Sequence, residues 1–282
     1  MRCTLFALGA LASVAPVLAE PSAVATPASP WEASTEDGVC RMQRAFEAGG
    51  KPHLLILEQN APDRAFGIAL AGPSLALLSP DTPLRLSFAT GHYGIENKAR
   101  IGPNRQFGHV AVLQGVSLAQ DETGDHNRID TSAAQQVERI AISQGEIEVS
   151  FATGSLAEAA TVINDCTAQI LRNWGLDPDV QYGLRQGVSA DKIKFTYPSI
   201  AARYLRGGPV DVVALVNAAG AATECRIITS SGDKDIDAAA CEGMTKARYR
   251  PALDAAGQPV ASFWKTRINY AATSLDAKRA GK

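Results

Sequence analysis

The stretch that decides the fold is YPSIAARYLRGGPVDVVALVNAAGAATECRIITSSGDKDIDAAACEGMTKARYRPALDAAGQPVASFWKTRINY, from Tyr197 to Tyr270. Tyr197-Pro198-Ser199 predicts a helix start, with proline at the first helical position, and Gly207-Gly208 predicts its end. In residues 210–217 every second residue, from Val210 to Val216, is apolar, which is typical of a strand. The turn at 217–220 and the short run at 224–229 predict a second strand, antiparallel to the first.

The second half of this stretch predicts one more helix and one more strand. Ile236, Ala240 and Met244 follow one another at helical spacing, and the helix is expected to end at the sequence 248–251, Arg-Tyr-Arg-Pro. After a turn at 254–259, residues 260–270 are rich in aromatic and β-branched residues and predict a third strand. The predicted class is α+β, with the order αββαβ and a small antiparallel three-stranded sheet.

This order and its punctuation resemble the TonB C-terminal domain family over about residues 197–270. The words that carry the resemblance are Tyr197-Pro198, Gly208-Pro209-Val210, Asn217-x-x-Gly220, Ser230-Ser231-Gly232, Asp237-Ala238-Ala239, Arg248-Tyr249-Arg250-Pro251-Ala252 and Gly257-x-Pro259-Val260. The resemblance implies a small sheet with two helices on one face. It also implies protein contacts in the periplasm of Gram-negative bacteria.

The amino terminus resembles an export signal. Arg2 precedes an apolar core from Leu5 to Leu18, and the sequence Val17-Leu18-Ala19 offers a small residue at a cleavage point. This core is shorter than the roughly 20 residues that a membrane-spanning helix needs. We therefore expect a mature chain that starts at Glu20, while an uncleaved anchor stays open as an alternative.

Charge and length indicate two domains of opposite charge. The chain has 282 residues and a formal net charge of -2, yet residues 196–282 carry 12 basic against 8 acidic residues and residues 21–195 carry 14 against 20. This weak basicity without clustered aromatic and arginine residues argues against nucleic acid as a partner. The expected domains are a signal peptide (1–19), a flexible segment (20–37), a β-rich domain closed by a helix (38–175), a linker (176–195), the TonB-like domain (196–275) and a tail (276–282).

Removal of the signal would also remove Cys3 and leave four cysteines, an even number suited to an oxidising compartment. Four cysteines allow three pairings. Proximity within the predicted elements favours Cys225 with Cys241, and therefore Cys40 with Cys166. A metal site is disfavoured, because no Cys-x-x-Cys spacing or histidine cluster accompanies them.

Candidate catalytic groups are scattered. The four histidines, His53, His92, His109 and His126, share no ligand-like spacing. The acidic run Asp121-Glu122-x-x-Asp125-His126-x-x-x-Asp130 lacks the ligand periodicity of an EF-hand loop. Ser189-x-x-Lys192 and Ser231-x-x-Lys234 share the spacing of an acyl-transfer motif, but neither begins an apolar helix and no companion motif follows. We expect no catalytic residue, no metal and no cofactor.

The functional hypothesis is an exported periplasmic protein whose C-terminal module folds alone and binds an envelope protein or an extended peptide by strand addition, in envelope transport or envelope protein interaction. Two alternatives remain: a membrane-anchored TonB-type energy transducer for outer-membrane receptors, and an envelope hydrolase with its site around His92, His109 and the acidic loop. Neither nucleic acid nor, once the leader is removed, a membrane is an expected partner. The expected partner-binding residues form the last strand: Phe263, Trp264, Lys265, Thr266, Arg267, Ile268, Asn269 and Tyr270.

Overall fold

A computed structural model describes residues 24–36, 38–88, 95–97, 99–118 and 127–271 of the chain. The expected signal peptide, the tail at 276–282, His92, His126 and the acidic run at 121–125 lie outside these ranges. The described residues form mixed α and β structure, as the sequence predicted. Two units follow one another, a large β-rich unit and a smaller α+β unit.

The β-rich unit is built on an eleven-stranded sheet with the order β7-β6-β10-β11-β1-β3-β4-β5-β9-β8, and β2 pairs with β3 beside this path. All of its neighbouring strands are antiparallel except β1 and β11. The strands are β1 Val24–Pro27, β2 Glu32–Glu36, β3 Val39–Ala48, β4 Lys51–Gln59, β5 Ala65–Ala71, β6 Leu84–Ser87, β7 Ile95–Asn97, β8 Arg100–Asn104, β9 Gly108–Ser117, β10 Ile140–Gln144 and β11 Ile147–Phe151.

Two connections fold this long sheet around one core. β1 pairs with β11 through Val24 and Ala25 and with β3 through Thr26 and Pro27, so it joins the two halves of the sheet. At the other side, the end strands β7 and β8 are separated by only two residues of chain, 98 and 99, so they lie close in space. The apolar side chains enclosed between the halves include Phe46, Leu55, Ile68, Leu113, Ile142 and Phe151.

Helices close the unit and connect it to the next. The helices are a 3-10 turn Pro73–Leu77, α1 Thr131–Gln135, α2 Ala157–Asn173 and α3 Pro178–Tyr182. One face of α2 is buried in the core through Ala159, Ala160 and Ile163. The Cys40–Cys166 disulfide joins β3 to α2, with 5.9 Å between the Cα atoms. This is the pairing that the sequence favoured.

The α+β unit contains a three-stranded antiparallel sheet with the order β13-β12-β16. Its elements are α4 Ser199–Arg203, β12 Gly208–Val216, β13 Ala222–Thr229, α5 Lys234–Lys246, β14 Ala252–Leu253, β15 Pro259–Val260 and β16 Ser262–Tyr270. Helix α5 lies against β12 and β13. Asp233 caps α5 by accepting hydrogen bonds from the backbone amides of Asp235 and Ile236. The Cys225–Cys241 disulfide joins β13 to α5, again the favoured pairing.

The flexible segment expected at 20–37 is not flexible where the structure describes it. Residues 24–27 and 32–36 form β1 and β2. Arg44 explains part of this order, because its guanidinium lies 5.8 Å from the Trp31 ring centroid and its Nε donates to the Ser29 carbonyl. Of the prolines that suggested a spacer, Pro27 is the last residue of β1 and Pro30 lies between β1 and β2.

The segment 176–195, expected to be a linker, is also packed. It begins with α3 and then pairs with the α+β unit through isolated bridges from Gln186 to Leu253 and from Ser189 to Arg250. Its apolar residues Val188, Ala190, Ile193 and Phe195 pack against the core of that unit. They show no regular period because the segment follows an irregular path over the surface of the unit. The two units also share a small core made of Ala61, Leu171, Leu176, Val213, Leu215 and Phe263.

Candidate protein-binding site

β16 is an end strand of the three-stranded sheet. Its register with β12 runs from Gly208 opposite Tyr270 to Val216 opposite Ser262. Within the described ranges no strand pairs with its other side. An edge of this kind offers unpaired N–H and C=O groups that another extended chain can satisfy. The element that the sequence named as the binding strand is therefore an open edge in the fold.

The aromatic side chains of β16 point away from this edge and are internal. Phe263 packs edge-on against Trp174 of the β-rich unit, with 5.3 Å between the ring centroids. Trp264 lies on the opposite face next to Tyr249, and Tyr270 stacks on Tyr197. The hypothesis that these aromatics recognise a partner directly has no support in this geometry. What β16 presents is its backbone.

The two cationic residues of β16 are both paired. Lys265 Nζ lies 2.5 Å from Asp63 Oδ2 of the β-rich unit. Arg267 donates two hydrogen bonds of 2.6 Å, from Nε and from a terminal nitrogen, to the carboxylate of Asp211. These hydrogen bonds raise the pKa of Arg267 above its ordinary value, with a smaller contribution from the charge of Glu58. The attraction of both residues for an acidic segment is therefore reduced.

Other residues at the start of β16 were not found by sequence reasoning. Gln181 of α3 donates from Nε2 to the Ala261 carbonyl at 3.0 Å and accepts from Ser262 Oγ at 2.6 Å. Gln181 is buried, so these bonds fix where α3 meets the strand. No sequence pattern links position 181 to position 262, because the contact depends on how the two units pack.

A cleft of about 650 Å³ separates the two units beside these ion pairs. Its walls carry charges of both signs, and most of them neutralise each other: Arg41 with Glu58 at 3.2 Å, Lys265 with Asp63 and Arg267 with Asp211. Arg100 also lines the cleft. The three pairs neutralise six of the seven charged residues in the walls, and Arg100 leaves one net positive charge.

The histidines that the structure describes do not form a reactive set. His53 is only 1% exposed, and its ring nitrogens contact the Lys51 carbonyl at 3.0 Å and Ser74 Oγ at 2.8 Å. His109 is on β9, and its carbonyl accepts a hydrogen bond from the Gly72 amide at 2.9 Å. In the described part of the chain no group of three or more His, Cys, Asp or Glu residues could hold a metal ion.

The remaining candidate groups have structural contacts. Asp130 caps α1 by accepting from the backbone amides of Ser132 and Ala133. Ser231 Oγ donates to Asp237 at 2.8 Å and thereby takes part in the turn before α5. Ser189 forms a backbone bridge with Arg250.

Comparison with known protein families gives a match to the C-terminal part of the chain. The model of the family described as "Gram-negative bacterial TonB protein C-terminal" matches residues 193–272. This segment is a TonB C-terminal domain. The match contains α4, β12, β13, α5 and β16, and it starts three residues before the boundary expected at 196. The resemblance inferred from the sequence is therefore confirmed for this segment.

The solution NMR structure of the Pseudomonas aeruginosa TonB CTD is similar to part of the chain. The two share 19% identity over 29% of this chain and 84% of that chain, with a TM-score of 0.26. No curated protein matches the sequence. The β-rich unit, residues 24–175, lies outside the family match.

Proposed function

We propose that this chain is a periplasmic protein that binds an envelope protein or an extended peptide by strand addition to β16 of its TonB C-terminal domain. The observation that carries the proposal is the open edge of β16 in a segment that matches this family. Backbone hydrogen bonds would supply the affinity, and side chains would add selectivity. The two-helix, three-stranded arrangement of the family provides the frame.

The β-rich unit restricts how a partner can reach this strand. Phe263 and Lys265 face that unit and already have partners there. A segment added to β16 would therefore lie beside the junction of the two units, and its side chains on that face would approach the largely paired charges of the cleft. This predicts a partner selected by an extended backbone and not by strong negative charge.

No specific observation favours either alternative, the membrane-anchored energy transducer or the envelope hydrolase. No helix in the described ranges is long and apolar enough to cross a membrane, and the segment Leu5 to Leu18 lies outside them. Of the hydrolase candidates, the structure describes His109, which lies on β9, and Asp130, which caps α1.

The test is chemical-shift mapping of the full mature chain with peptides from envelope receptors. We expect the amide shifts to concentrate on residues 262–270. Neighbouring residues of an edge strand direct their N–H groups to opposite sides, alternately inward and outward. Proline substitutions at Lys265 and at Thr266 therefore differ in effect. At the inward position proline removes a hydrogen bond to β12, and at the outward position it removes a donor to the peptide and weakens peptide binding. The matched control is Thr266→Val, which keeps the backbone N–H. Shifts confined to α4 and α5 would contradict the proposal.

A further inference from the structure

The opposite end of the three-stranded sheet is also open. β13 pairs with β12 on one side, and within the described ranges no strand pairs with its other side. Its eight residues give an edge of about 27 Å, long enough for a five- or six-residue segment. Like β16, this strand borders a cleft between the units.

The β-rich unit supplies the far wall of the groove. A cleft of about 490 Å³ runs between β13 and the last two turns of α2. Ile170 and Trp174 line it from the helix side, and Ile227 and Ile228 line it from the strand. Ile170 and Trp174 are four residues apart and therefore share one face of the helix. Ile227 and Ile228 are neighbours in the strand and point to opposite faces of the sheet, and Ile227 packs against the core under α5. The half-buried side chains of Ile170, Trp174 and Ile228 therefore form the apolar floor that a ligand can still reach.

The groove is held in place by fixed contacts. One turn before Ile170, the Cys40–Cys166 disulfide ties α2 to β3. One turn after it, the Trp174 ring packs edge-on against Phe263 of the neighbouring sheet at 5.3 Å. A preformed wall lowers the ordering cost of binding.

The charges around the groove favour an uncharged occupant. Among the described residues that line it, Arg226 is the one with a formal charge, and it forms an ion pair of 2.8 Å with Glu224 of the same strand. Asn60 and Asn173 supply amide groups that can bond a backbone or a hydroxyl. A charged side chain would find no free counter-charge on this surface.

We propose that the groove along β13 is a second strand-addition site, which binds an extended peptide with apolar, uncharged side chains at alternate positions. The backbone of the peptide extends the sheet at β13, and every second side chain rests on Ile170 and Trp174. This goes beyond the proposed function, because α2 lies outside the TonB C-terminal segment and the site exists only where the two units meet.

The test titrates the full mature chain with a capped nine-residue peptide in which valine and threonine alternate between terminal lysines. We expect amide shifts at residues 222–229 and 166–174, and loss of these shifts when the valines are N-methylated. Ile170→Glu should weaken binding at least tenfold, because it places an unpaired carboxylate on the apolar floor. The matched control Gln169→Glu adds the same charge at the neighbouring exposed position and should leave the affinity unchanged.

Chemical-shift mapping on the unmodified chain tests the proposed β13 site even if a variant folds poorly. Shifts confined to β16 would overturn this proposal and leave the proposed function standing. Shifts at β13 without any at β16 support it and count against the proposed function. Absence of shifts at millimolar peptide overturns it. Shifts at β13 that grow with protein concentration alone overturn the peptide assignment and identify a second copy of the chain as the occupant.

Discussion

Leu205 is the non-glycine residue with a positive φ, +50°, among the described residues. It follows α4 at the position where glycine usually ends a helix: the Leu205 amide donates to the Ala202 carbonyl at 3.1 Å and the Arg206 amide to the Ala201 carbonyl at 2.9 Å. Its side chain is 56% exposed, so little packing compensates for the backbone strain.

We therefore expect Leu205→Gly to raise the free energy of unfolding by about 0.5–1 kcal/mol, because relief of the left-handed strain exceeds the added entropy of the unfolded chain. Urea denaturation measures this change. Tyr204→Gly is the matched control, since Tyr204 has φ -99° and should lose stability. A lower stability of Leu205→Gly would contradict the assignment of strain.

Tyr249 makes the stability depend on alkaline pH. Burial raises the pKa of its phenol to about 12, and its hydroxyl donates to the Met244 carbonyl at 2.8 Å. The folded state thus holds this proton while the unfolded state loses it near pH 10. The contribution is complete below pH 10 and falls as the pH rises toward 12, by about 2–3 kcal/mol.

Denaturation of the wild type and of Tyr249→Phe between pH 8 and 12 tests this. Tyr249→Phe should show a flatter fall over the window from 10 to 12. Equal slopes for both proteins would assign the alkaline loss to other groups, such as Tyr270, whose pKa burial also raises.

The hairpin of β12 and β13 depends on Gly220. This glycine has φ +76°, and a Cβ atom there would lie 2.2 Å from the Tyr249 carbonyl oxygen. Gly232, with φ +83°, has no atom within 4 Å of the same position and is the matched control. We expect Gly232→Ala to cost about 1–2 kcal/mol of stability from backbone strain alone, and Gly220→Ala about 3 kcal/mol or more from strain plus overlap. Thermal unfolding compares the two, and equal losses would exclude the overlap.

At the scale of elements, the sequence predicts those strands and helices whose apolar residues recur with a short, regular period. Six short runs with the apolar pattern of strands, at 54–57, 66–70, 84–87, 109–113, 140–142 and 147–151, lie within observed strands. β3 is harder to recognise, although Cys40, Met42 and Phe46 are on its buried face. Arg44 interrupts that register, and only its tertiary partners, the Trp31 and Phe46 rings and the Thr153 carbonyl, make its inward position acceptable.

The candidate site shows the same division. The strand 262–270 can be predicted from its β-branched and aromatic residues, and its position at the edge of the sheet follows from the order of elements in the family. The ion-pair partners of Lys265 and Arg267 could not be predicted from the sequence. Asp63 lies about 200 residues away in another unit, and Asp211 is identified only by the register of β12 against β16. Long-range packing sets which charges stay free.

The whole molecule is expected to unfold as one cooperative unit because the two units share a core. Phe263 is central to it, against Leu171 and Trp174. Phe263→Ala should cost about 3–5 kcal/mol and separate the single calorimetric transition into two. Ile268→Ala, on the opposite face of the same strand, should lower the transition temperature without dividing it. A single transition for Phe263→Ala would mean that other contacts couple the units.

The two disulfides join cysteines that are consecutive in the chain, Cys40 with Cys166 and then Cys225 with Cys241. This order matters during biosynthesis. When a chain emerges from its amino terminus into an oxidising compartment, an oxidant that joins each free thiol to the next one to arrive produces only the native pairs. For an exported chain from which the segment with Cys3 has been removed, we therefore expect maturation of these four cysteines to need an oxidant but no isomerase.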